Sequence, residues 1–178
     1  MLSEPMPQIG TSDNPFEGVF DGNGHSINDL VLENSSLFYD LAGTVKNLTL
    51  SGVRLANFDY PTLYPIASRV GYSHTTGEGD EATTTTSAGS LYNCYVNGDL
   101  YIYRSPYSMI PEMYVSGICG RVQHGSKVKD CYFKGSINAS SLTVDGKEVK
   151  NTTAGIESGL ANTYLYASGI STIVADAC

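Results

Sequence analysis

The chain has 178 residues, a formal net charge of −8 and a pI near 4.7. Its 10 basic residues stand against 18 acidic ones, which argues against nucleic acid or an anionic membrane surface as a partner. No apolar run reaches the roughly 18 residues of a membrane-crossing helix, so no membrane insertion is expected. With 19 Gly, 13 Tyr, no Trp and only 16% charged residues, the composition is that of strands joined by turns.

In chain order, the opening MLSEPMPQIGTSDNPF has neither a basic n-region nor an apolar h-region and is not a signal peptide. Any export signal is expected outside this chain. Phe16 and Phe20 then flank Gly18 with a strand's period of two. FDGNGH follows, the material of a metal site, a phosphate loop or a corner. It reads as a corner. Gly22, Asn23 and Gly24 reverse the chain, and Asp21 and His25 are expected to tie the turn by hydrogen bonds.

Four segments then share one pattern: INDLVLEN from Ile27, VKNLTLSG from Val45, LYNCYVNG from Leu91 and VKDCYFKG from Val128. The last two apolar positions lie two apart and share one strand face. The first lies three before the next, which places a bend at the Asn or Asp between them. Such strands describe a solenoid in which stacked turns of the chain bury a common core. Stacked by this pattern, Leu30, Leu48, Cys94 and Cys131 form one inward ladder, and Leu32, Leu50, Val96 and Phe133 a second. Asp29, Asn47, Asn93 and Asp130 form a polar ladder at the bend, with amides bonding from coil to coil. The spacing from Leu30 to Leu48 is 18 residues, against 46 and 37 for the next intervals. The short interval reads as the bare coil, and the excess as insertions at about 57–86, 103–113 and 139–163. An extra degenerate coil inside the first insertion is the alternative. SGICGRV from Ser116, SGISTIV from Ser168 and, more weakly, SSLFYDL from Ser35 suggest one further strand per coil. The abrupt start and the closing VADAC suggest a piece of a longer solenoid, or one capped by neighbouring segments.

Residues 9–53 resemble the segment that opens many GLUG-motif bacterial surface proteins, which runs Ile-Gly, then Phe-x-Gly-x-Phe-Asp-Gly-x-Gly-His, then an apolar strand. GICG from Gly117 fits the GLUG element itself. The resemblance is moderate at 89–100 and 115–138 and absent from the insertions; SLFY lacks both glycines of the motif and GIST the second. It implies an all-β, right-handed parallel β-helix, secreted or anchored at a bacterial cell surface and adhesin-like. Some relatives carry an immunoglobulin A-cleaving metallopeptidase elsewhere in the chain. That activity needs His-Glu-x-x-His, which this sequence lacks.

The chemistry-bearing residues mostly have plain readings. His25, His74 and His124 stand in no readable motif with a nucleophile. Cys94, Cys119 and Cys131 read as small buried apolar side chains, with a disulfide between Cys94 and Cys131 as the alternative; with Cys178 they show no zinc-cluster spacing. Glu78, Asp80 and Glu81 in GEGDE read as a solvated acidic loop, with calcium as the alternative. TTTT occurs once and is no regular threonine array. The sequons at Asn34, Asn47, Asn138 and Asn151 carry little weight in a bacterial chain. Tyr95 and Tyr132 alternate with the inward residues and are expected to face outward one coil apart, after Val31 and Thr49, with Tyr92 across the bend. A neighbouring outward row holds Glu33, Ser51, Asn97 and Lys134.

These features lead to one expected architecture, a single β-helix segment over 1–178. The expected role is structural or adhesive, without catalysis, cofactor or metal. Loops and outward tyrosines would meet a glycan or a host protein. The alternatives are a β-helix polysaccharide lyase or hydrolase, which needs converging carboxylates, and a passive spacer for a domain elsewhere in the full chain.

Overall fold

The computed structural model describes residues 4–55, 62–104, 112–142, 148–150 and 164–174. It is all-β, without an α-helix among the described residues. The chain makes four passes through four parallel sheets in the same order, and the last three passes each add a strand to a fifth. The first pass is β1 (Val19–Asp21), β2 (Ser26–Asn28), β3 (Val31–Leu32) and β4 (Phe38–Leu41). The second is β5 (Thr44–Lys46), β6 (Thr49–Ser51), β7 (Arg54–Leu55), β8 (Thr62–Leu63) and β9 (Ala67–Val70). An antiparallel hairpin follows, β10 (Tyr72–Thr76) with β11 (Thr83–Ser87). The third pass is β12 (Ser90–Tyr92), β13 (Tyr95–Asn97), β14 (Leu100–Arg104), β15 (Glu112–Ser116) and β16 (Cys119–Val122). The fourth is β17 (Lys127–Lys129), β18 (Tyr132–Lys134), β19 (Ile137–Leu142), β20 (Glu148–Lys150), β21 (Tyr164–Ser168) and β22 (Ser171–Val174), with β20 antiparallel on β19.

The sheets order as β1-β5-β12-β17, β2-β6-β13-β18, β3-β7-β14-β19-β20, β8-β15-β21 and β4-β9-β16-β22. Each pass therefore stacks on the last in fixed register. Phe20, Val45, Leu91 and Val128 form one row, and Ile27, Leu50, Val96 and Phe133 another. The apolar members of these rows meet in one continuous core that includes Leu30, Leu32, Leu37, Phe38, Leu48, Leu63, Ile66 and Val115, all at most 2% exposed. Each such side chain contributes about 1.5–3 kcal/mol by leaving water, and no strand here is long enough to bury its own face.

Tight corners hold the passes in register. Asn47, Asn93 and Asp130 sit between the first two strands of their passes in the left-handed region, at φ 53°, 50° and 55°. Short polar side chains tolerate that conformation best after glycine. At the next corner Gly52 and Gly98 take φ 64° and 102°.

The structure rephases the first copy of the repeat. Asp29 does not stack on Asn47. It occupies the second corner, where its amide donates to the Ser51 carbonyl at 2.8 Å beside Gly52. Ile27, rather than Leu32, pairs with Leu50, while Leu32 pairs with Leu55. Leu30 likewise leaves the Leu48 row, its carbonyl accepting from Arg54 at 2.9 Å. The reason lies in the first corner. The first pass turns there through the longer Gly22-Asn23-Gly24 reversal, so the Asx signature at Asp29 marks the following bend. The register accordingly spaces the first two passes by 25 residues at Phe20 and Val45, across the longer reversal, and by 23 at Ile27 and Leu50 beyond it, not by 18.

All three insertion boundaries also move: in the third, 139–142 belong to β19 beside β14, and 148–150 form β20. The stretch 57–86 contains β8 and β9, which belong to the sheets, and what protrudes is the hairpin of β10 and β11. Thr83–Thr86 form most of the exposed strand β11. Residues 103–104 and 112–113 continue β14 and β15. The parts of the expected insertions at 57–61, 105–111, 143–147 and 151–163 lie outside the described residues, as do Asn151 and Cys178. At the other end, Met6, Ile9 and Phe16 bridge in parallel to Leu32, Phe38 and Leu41 and pack on the core. The segment before β1 thus covers the open edge of β3 and β4.

Candidate functional site

Tyr95 and Tyr132 face each other across β13 and β18. Their ring centroids are 4.2 Å apart at 36°, and Tyr132 is 48% exposed. The Tyr95 hydroxyl donates to Asn93 Oδ1. Thr49 and then Ser26, not Val31, continue this row. The neighbouring row runs Asn28, Ser51, Asn97 and Lys134, with Asn28 in place of Glu33. Tyr92 lies across the bend, between Lys46 and Lys129. Exposed Tyr101 stands on β14 beside Arg54. The strip is therefore short: two rings in tilted contact with polar residues along their flanks.

The FDGNGH corner is held by Asp21. Its Oδ1 accepts from the Asn23 amide and from Asn47 Nδ2, both at 2.9 Å, and its Oδ2 meets Lys46 Nζ at 3.2 Å. Asn47 Oδ1 in turn accepts from Asn93 Nδ2 at 2.9 Å. An amide ladder thus runs from Asp21 through Asn47 to Asn93. The backbone of Gly22 accepts from the His25 amide at 2.7 Å, and the His25 side chain is exposed. A Cβ at Gly22 would strike the Asn47 carbonyl oxygen at 2.5 Å.

The Asn47 and Asn23 hydrogen bonds, with Lys46 nearby, hold the Asp21 carboxyl below its ordinary value of 3.8. A lowered folded-state value stabilises the fold above the ordinary value, and that stabilisation is lost as pH falls through the folded value. Carboxyl NMR titration of Asp21 is expected to give a midpoint below 3.8, and Asn47→Ala is expected to raise it. An unchanged midpoint in Asn47→Ala would mean that the amide does not act on the carboxylate.

A third feature was not legible as a site in the sequence. On the outside of β4, β8, β9 and β16 lies a groove of about 290 Å³. It is lined by Ser35, Tyr39, Thr62, Tyr64, Ser68, Arg69, Gly120 and Arg121. Arg69 grips Asp40, which is fully buried, through one guanidinium edge, Nε donating to Oδ1 and Nη2 to Oδ2, the latter at 2.6 Å. The same guanidinium lies 4.9 Å from the centre of the Tyr39 ring. Ser68 Oγ meets Ser35 Oγ at 2.9 Å and Ser36 Oγ at 2.7 Å, and Gln8 Nε2 donates to Ser36 Oγ at 2.6 Å. Burial pushes the Asp40 carboxyl up, against the opposing pull of the Arg69 hydrogen bonds and charge.

Gly120 makes room for the groove. A Cβ there would lie 2.6 Å from the Ser68 carbonyl oxygen and 2.7 Å from the Tyr64 ring. Gly117, the other glycine of GICG, is equally tight, with Phe133 and the Gly169 carbonyl inside 2.5 Å of a Cβ. The missed signal is a repeat: IASRV from Ile66 and ICGRV from Ile118 share Ile-x-x-Arg-Val, and Arg69 pairs with Arg121 in register.

Cys94 is buried and Cys131 half-buried, and neither these two nor Cys119 forms a disulfide. Their strands are hydrogen bonded, Tyr132 N to Cys94 O at 3.1 Å. The Cys131 thiol beside it and burial push the Cys94 thiol well up, so it stays protonated at neutral pH. Glu78, Asp80 and Glu81 sit at the exposed hairpin tip around a 3₁₀ turn, Gly79–Glu81. Among the described residues no three His, Cys, Asp or Glu side chains gather closely enough to hold a metal ion. No family model, no curated protein and no solved structure matches the chain.

Proposed function

We propose that this chain is a non-catalytic right-handed parallel β-helix, extracellular or displayed at a bacterial cell surface, with a structural and adhesive role. The repeated order of parallel sheets, the fixed register and the continuous core support the solenoid reading. The GLUG-like segment over 9–53 supports the surface setting. The reading makes the molecule a stiff rod whose outward side chains are presented at fixed spacing to a glycan or a protein.

The observation that carries the contact role is the Tyr95–Tyr132 pair, in tilted contact at 4.2 Å with Tyr132 half in solvent. Exposed aromatic faces on a rigid sheet offer contact area at low entropic cost. A glycan-array screen of the chain beside Tyr95→Ala and Tyr132→Ala tests it. Each variant is expected to lose roughly five- to tenfold in affinity, the scale of one aromatic contact. Binding unchanged in both variants rules the strip out.

A further inference from the structure

We infer that the groove over β4, β8, β9 and β16 binds a sugar ring bearing a carboxylate, with Arg121 as its anion anchor. The inference deepens the glycan-contact reading and rests on it, but it places the contact at a different surface from the tyrosine strip.

Arg69 and Arg121 are directly paired on neighbouring strands, about 4.8 Å apart. Like charges so placed repel each other. Asp40 neutralises only Arg69. Arg121 is exposed, and no carboxylate among the described residues pairs with it. None of the eight lining residues is acidic. In a chain of net charge −8, this groove carries one uncompensated positive charge. A guanidinium fork matches a carboxylate in two parallel hydrogen bonds.

The groove's shape and polarity match a sugar ring as well. Tyr39 and Tyr64 supply aromatic surface for the C–H faces of a ring. Ser35, Thr62 and Ser68 supply hydroxyls for its oxygens. Ser35 and Ser68 are already set by the hydroxyl chain that ends on Gln8, and Arg69 is fixed by Asp40 and Tyr39. A ligand therefore meets groups that lose little freedom on binding. At about 290 Å³ the groove lies at the small end of ligand sites and suits a single ring. A bare inorganic anion would use the arginine and leave both rings idle.

Calorimetric titration of the full chain tests this with three probes: a glucuronate-containing disaccharide, the matched glucose disaccharide and inorganic phosphate. The acidic disaccharide is expected to bind at least about tenfold tighter than either other probe. Arg121→Gln is expected to remove that advantage, and Val19→Ala, an exposed position of β1 that does not line the groove, to leave it intact. Equal binding of the two disaccharides overturns the inference, as does phosphate binding as tightly as the acidic sugar. Acidic-sugar binding that survives Arg121→Gln but falls in Tyr132→Ala also overturns it, and leaves the tyrosine strip standing. If no probe binds, the groove proposal fails, while neutral-glycan binding on the array would still support the strip.

Discussion

Phe38→Ala is expected to destabilise the fold by about 3–5 kcal/mol, the range for deleting a fully buried aromatic ring. Phe38 has no exposed surface. Phe16 and Phe20 pack on it at centroid distances of 5.1 and 5.6 Å, tilted and edge-on. Its stacked neighbour in the next pass is Ala67, which is too small to fill the space left behind. Phe16 comes from the segment that covers the open edge, so the loss also loosens that cover. Urea unfolding monitored by circular dichroism measures the change. Val19→Ala, at a position 67% exposed, serves as the control and is expected to shift stability by less than about 0.5 kcal/mol. A loss below about 1 kcal/mol at Phe38 would show that the ring cluster is not the packed centre of the first pass.

The second large effect is expected at Arg69. Arg69→Met leaves the Asp40 carboxylate buried without its partner, which costs about 3–5 kcal/mol for a deeply buried pair. Arg69 is 30% exposed, so water can partly replace it, and about 2–3 kcal/mol is the expected loss. The double change Arg69→Met with Asp40→Leu is expected to recover most of it, because no unpaired charge remains. The pH dependence gives the sign. Burial already raises the Asp40 carboxyl above 3.8, and removing Arg69 raises it further. A raised folded-state value favours the fold at low pH, and that contribution is lost as pH rises through it. The cost of Arg69→Met is therefore expected to be larger at pH 7 than at pH 4. An equal cost at both pH values would assign the loss to the packing of Arg69 on Tyr39 instead.

The groove and the ion pair are linked. Asp40 holds Arg69 against Tyr39, and Gly120 leaves Tyr64 its place. Gly120 thus works through what it omits: any side chain there would collide with the ring that forms one wall. In the first pass the equivalent strand is SLFY, without glycines, and its Tyr39 forms another part of the lining. The first pass supplies an aromatic ring where the third pass supplies space.

The sequence by itself determined the local features. The alternation of inward and outward residues in Thr49–Ser51, Tyr95–Asn97 and Tyr132–Lys134 is a property of two or three adjacent positions. So are the left-handed corners at Asn47, Asn93 and Asp130, because Asx side chains tolerate that conformation. The tertiary structure decided phase. Asp29 takes the same φ of 53° as Asn47, so the corner signature alone cannot say which corner it marks. Only hydrogen bonds between residues more than twenty positions apart distinguish them, as when Asp29 meets Ser51 and Gly22 meets Lys46. The same holds for the strand Ala67–Val70, which lies within an apparent insertion until it pairs with β4 and β16. The groove follows from that pairing. Tyr39, Tyr64, Arg69 and Arg121 are scattered over 82 residues of sequence, and stacking of the passes brings them together on one surface.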